Sequence, residues 1–142
     1  MSHYAEIKLK MSGDAEAIIR ALLDIGAGRW VRAQIEVHAE RQNLVGYQGD
    51  TRTQKAHIII RRKFVGGAAN DIGFEKKVDG SWVAHISDYD AHSYDANWQK
   101  RLLSKWAVQR TGLEAEKRGY KWSVEYATEG AKQFAYVRVV RG

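Results

Sequence analysis

A chain of 142 residues is the usual size of one domain and buries roughly 68–70% of its extended surface on folding, enough for one hydrophobic core. With 44% hydrophobic, 11% aromatic and 28% charged residues it is neither a disordered nor a collagen-like chain, and the absence of cysteine excludes disulfides, thiolate nucleophiles and iron–sulfur ligation. The net charge of +6 favours polyanionic partners through a long-range field, without marking a site.

The amino-terminal segment Tyr4 to Met11 alternates, with Ala5, Ile7, Leu9 and Met11 on one face, and predicts a half-buried strand. Ser12, Gly13 and Asp14 then offer a cap for a helix over 14–25, whose stripe is Ile18, Ile19, Leu22 and Leu23 and whose stop is Gly26. From Arg29 to His38 the period returns to two, placing Val31, Ala33, Ile35 and Val37 on one side of a second strand. After a glycine-rich connection, Ala56 to Arg62 carries Ile58, Ile59 and Ile60, a run that predicts a strand covered on both faces. Strands at 71–75 and 82–86 follow, the second entered through the Asp79-Gly80 turn.

A long helix begins near Ser93 or Asp95 and reaches Arg118, because Trp98, Leu102, Trp106 and Leu113 share a face; two strands, 120–126 and 134–140, close the chain. The lysines and arginines of that helix spread around its circumference as a solvated surface. The expected fold is a single α+β domain over 1–142: one antiparallel sheet with two helices on one face, in the order β-α-β-β-β-β-α-β-β. Neither a signal-type apolar region nor a run approaching the roughly 20 residues of a spanning helix is present, so a cytoplasmic location without a membrane partner is expected.

The amino-terminal Met-Ser-His-Tyr, Ala21-Leu22-Leu23-Asp24-Ile25-Gly26, Gly46-Tyr47-Gln48-Gly49, Ala56-His57-Ile58-Ile59-Ile60 and Asn70-Asp71-Ile72-Gly73-Phe74 carry a likeness along nearly the whole chain. They resemble the hypothetical chloroplast reading frame thirty-five family, a domain of unknown function in cyanobacteria, red-algal plastids and phages. The resemblance implies no catalytic residue, ligand or cofactor. This chain departs from the family in being more basic and in its polar segment His85 to His92, a departure that fits a specialised role such as one in a phage.

Basic residues recur beside aromatic ones on the expected strands: Arg29, Trp30 and Arg32; Arg61, Arg62 and Lys63 before Phe64; Tyr136 and Arg138 before Arg141. Such a face pairs with phosphates and stacks bases, so the leading expectation is a non-enzymatic protein that binds a nucleic acid or a phosphorylated small ligand. A protein–protein adaptor competes with it, since no strong ligand motif is present. Gly66-Gly67 lacks the Lys-Ser/Thr ending of a phosphate loop and reads as a hairpin connection. His85, Asp88, Asp90 and His92 are metal-ligating types within eight residues and would suit a metal-dependent phosphoester hydrolase. Their spacing matches no established signature, and on an extended segment His85 opposes the other three, so neither metal nor cofactor is expected. No nucleophile–base–orienter set assembles, and an enzyme is disfavoured.

Overall fold

In the computed structural model, which describes residues 2–141, the alternating amino-terminal segment is strand β1 (Tyr4–Ser12) and the first apolar stripe is helix α1 (Ala15–Gly26). Strands β2 (Ile35–Val45) and β3 (Thr51–Ile60) form a long hairpin, followed by a single helical turn, α2 (Arg62–Val65), and by strands β4 (Ile72–Lys76) and β5 (Ser81–Ser87). Helix α3 (Ala96–Lys117) and the hairpin of β6 (Tyr120–Glu129) and β7 (Lys132–Arg141) complete the chain. The α+β class and the expected order of strands and long helices hold. The α3 start is fixed as its sequence suggests, by Asp95 Oδ1 accepting the Trp98 amide at 2.9 Å.

Five strands form one antiparallel sheet in the order β1-β5-β4-β3-β2. Its period-two alternation sends Ile58, Ile60, Ile72, Phe74, Ala84 and Ile86 to one face, where they meet Ile18 and Leu22 of α1 and Trp98, Leu102 and Trp106 of α3. Each buried aliphatic or aromatic side chain there contributes about 1.5–3 kcal/mol, so this layer supplies most of the driving force for folding. Ile59 points to the opposite face, yet it too is fully buried, with Leu44 and Ala56. The isoleucine run is therefore covered on both sides, as its composition predicts.

Two stretches of the chain depart from expectation. Residues 29–34 are not strand: β2 begins at Ile35, and Val31 and Val37 are more than half exposed. Ala27, not Gly26, takes the left-handed conformation that ends α1, and Trp30 then turns inward to stack on Tyr94, its indole N–H donating to the Phe64 carbonyl at 2.7 Å. Inward burial of this large side chain outweighs the local alternation.

The second departure concerns the last two strands, which pair with each other and form a sheet of their own. Trp122 enters α3 at Gly112, where a Cβ would lie 2.1 Å from the indole, and its N–H donates to Glu116 at 2.7 Å. That notch docks the hairpin on α3 by one face, while Tyr136 and Val140 on the other face stay more than half exposed. Among the described residues no helix is long and apolar enough to cross a membrane.

Candidate functional site

The sheet face away from the helices is shaped by one row of residues. Cross-strand pairing aligns Glu36, Ile59, Gly73, His85 and Glu6 on five successive strands. The β2–β3 hairpin changes register between Val37 and Gln42 and lays Leu44 and Ala56 over Gly73. A Cβ on Gly73 would lie 2.5 Å from that of Ala56 and 2.9 Å from Leu44, so only glycine admits this contact. Asp71, Gly73 and Glu75 alternate onto the same face. The apolar plug over Gly73 therefore leaves a cleft on either side, one at Asp71 and one at Glu75.

The cleft at Asp71 has a volume of about 570 Å³ and is lined by Arg61, Arg62, Lys63, Gly66 and Gly67. The Asp71 carboxylate is fully buried and fully used: it accepts from the amides of Val45 and Arg62, each at 2.7 Å, and from Arg61 Nη1 at 2.8 Å. Arg61 also forms a two-point pair with Glu36, at 2.8 and 3.0 Å. Hydrogen bonding to Arg61, helped by His38 and opposed by burial, holds the Glu36 carboxyl below its usual range. Arg61 is thus committed to holding the fold. Arg62 gives one N–H to the Tyr47 carbonyl, and Lys63 lies over the Phe64 ring; among the described residues neither has a carboxylate partner.

The cleft at Glu75 has a volume of about 440 Å³ and is lined by Glu6, Arg41, Gln54, Glu75, Lys77 and His85. The side chains of His85 and Glu75 are only 6% and 8% exposed, with His85 Nε2 2.8 Å from Glu75 Oε1. A carboxylate only accepts, so Nε2 carries the proton. Glu75 Oε2 accepts from Arg41 at 2.8 Å, and Lys77 Nζ sits 3.0 Å from Glu6 and 3.5 Å from Glu75. Burial pushes the Glu75 carboxyl up, but the hydrogen bonds from His85 and Arg41 outweigh it and hold the group below the usual range. His85 Nδ1 and Gln54 Oε1 are buried without a hydrogen-bond partner.

Of the basic and aromatic residues singled out in the sequence, the fold gathers only Arg61, Arg62 and Lys63 into one cleft. Trp30 is core. Arg29 lies against the Trp30 and Tyr94 rings, 5.7 and 5.8 Å from their centroids, and donates to the Val65 carbonyl. Arg32 is exposed but paired with Glu16 through two hydrogen bonds. Tyr136 and Arg138 belong to the separate hairpin on α3. Among the described residues these side chains form no continuous basic sheet face.

The four residues of the 85–92 segment are also parted. Asp90 is buried and accepts from Ser87 and from the Asn70 amide. Asp88 caps the His3 and Tyr89 amides, and His92 is exposed on the turn before α3. Only His85 enters a cluster, with Glu6 and Glu75. The alternation of β1 and β5 places Glu6 and His85 on one face, but their pairing depends on β1 lying beside β5, which local pattern does not encode. The chain matches no known family model, no curated protein and no solved structure.

Proposed function

We propose that this chain is a small non-enzymatic binding protein that holds a phosphorylated small ligand, of nucleotide size, in the cleft formed by Arg62, Lys63 and the Gly66-Gly67 loop. The observation carrying this reading is that Arg62 and Lys63 line a cleft of about 570 Å³ while its one carboxylate, Asp71, is consumed by Arg61 and two backbone amides. Such a volume is in the range of small-ligand sites, and unspent cations beside glycines suit phosphate oxygens. An extended nucleic-acid platform receives less support, because Trp30 is core, Arg32 is ion-paired and Tyr136 with Arg138 lies on another sheet. A cytoplasmic setting and kinship with the hypothetical chloroplast reading frame thirty-five family belong to the same proposal, the latter on the residues quoted above.

Calorimetric titration with ATP, ADP, inorganic phosphate and a single-stranded oligonucleotide at low ionic strength tests it. A nucleotide should bind and weaken as salt is raised. Heats absent for every probe would remove this function, and an oligonucleotide binding far more tightly than ADP would replace the small ligand by a strand.

A further inference from the structure

We propose that Glu6, Glu75 and His85 form a binding site for a divalent transition-metal ion of the zinc or manganese class, taken up in exchange for the Lys77 ammonium. One donor atom from each of the three side chains lies within 4.8 Å of the others. Two carboxylates and one imidazole are the donors such ions take where cysteine is absent. The three sit on the adjacent strands β1, β5 and β4, so the hydrogen-bonded ladder sets their spacing.

Two observations mark this cluster off from an ordinary group of surface acids. His85 is buried and lines the cleft, and its Nδ1 has no partner, so that nitrogen is free to carry the proton that Nε2 must give up to a metal. The carboxylates, moreover, already hold a cation: Lys77 Nζ lies 3.0 Å from Glu6 and 3.5 Å from Glu75. Its side chain is 38% exposed, and its flexible stem allows the ammonium to move into solvent. A dication between the same oxygens gains more Coulomb energy than the monovalent ammonium it displaces. Binding through Nε2 requires the proton now on that nitrogen to pass to Nδ1, which leaves a neutral imidazole as ligand, and Arg41 keeps the other Glu75 oxygen oriented at 2.8 Å. Three protein donors leave a coordination position to water, as in reactive zinc sites and unlike closed structural ones.

The test is calorimetric titration of zinc chloride into the untagged full chain at neutral pH, with nitrogen-15 NMR of the histidine side chains alongside. One equivalent is expected, with the His85 ring resonances moving first. Glu6 is exposed on the edge strand β1, so Glu6→Gln leaves the fold intact and should weaken binding about tenfold or more. Lys77→Met, which removes the competing ammonium, should strengthen it. Zinc that leaves the His85 resonances unmoved, binds Glu6→Gln as well as the parent, or gains nothing from Lys77→Met would overturn the proposal and make Lys77 and Arg41 permanent partners of the two acids.

Discussion

The two clefts on either side of the Leu44–Ala56 plug share a strand, a hairpin roof and a buried carboxylate, but they spend their charge differently. At Asp71 the acid is saturated by Arg61 and two amides, so the next cations in sequence, Arg62 and Lys63, have no carboxylate to neutralise them. At Glu75 two acids share the cleft: Arg41 and Lys77 pair with Glu75 and Glu6, the histidine is held inside the same network, and only the exposed Lys55 lacks a carboxylate among the described residues. What attracts an anion is therefore unspent positive charge and not the number of basic residues. Arg32 carries the same formal charge as Lys63 but is taken up by Glu16.

The largest effect should come from breaking the saturated acid. Asp71→Ala leaves Arg61 with Glu36 alone and two part-buried amides without their acceptor, and should cost about 3–5 kcal/mol, read as a lower urea midpoint. A loss below about 1 kcal/mol would mean that Asp71 does not organise its cleft.

The plug comes next. Gly73→Val drives a side chain into Ala56 and Leu44 and should cost about 1–3 kcal/mol, whereas Gly67→Ala, with nothing within 4 Å of the added carbon, should stay within about 0.5 kcal/mol. Equal midpoints for the two variants would show that the hairpin does not press on the sheet.

A smaller effect sharpens the contrast through pH. Glu75 is held below its ordinary value of 4.5, so its contribution is fully present above that pH and is lost as the pH falls through the depressed value. Urea midpoints taken from neutral pH to below 4.5 should fall, and fall less steeply in Glu75→Gln. A parallel fall in both would assign acid sensitivity to other groups, such as Glu116, whose carboxyl is pulled to about 2 by Arg20 and Trp122.

Much of the fold is legible in local pattern because alternation and helical stripes report burial directly. The Ile58-Ile59-Ile60 run and the Trp98-Leu102-Trp106 stripe both occupy the environments that their spacing predicts. Pattern fails where a distant partner overrides it. Trp30 sits in an alternating stretch but is drawn into the core by Tyr94 and the Phe64 carbonyl. Strands β6 and β7 follow α3 in the expected order, yet the Gly112 notch docks them on the helix and not beside the sheet. The same holds for the clefts. Arg61, Arg62 and Lys63 are adjacent in sequence and were legible together, whereas Glu6, Glu75 and His85 meet only through the β1–β5 and β4–β5 pairings. Asp88, Asp90 and His92, close to His85 in sequence, are sent elsewhere by the turn at Asp90–His92.

The most direct measurement is a nitrogen-15 NMR titration of the full chain with ADP at low salt, repeated with the double variant Arg62→Ala, Lys63→Ala, whose stability should remain within about 0.5 kcal/mol per site. Shifts concentrated at Arg62, Lys63, Gly66 and Gly67 in the parent and absent from the variant are the predicted result. Shifts confined to the β6–β7 hairpin, or equal in both proteins, would contradict a phosphate site beside Asp71.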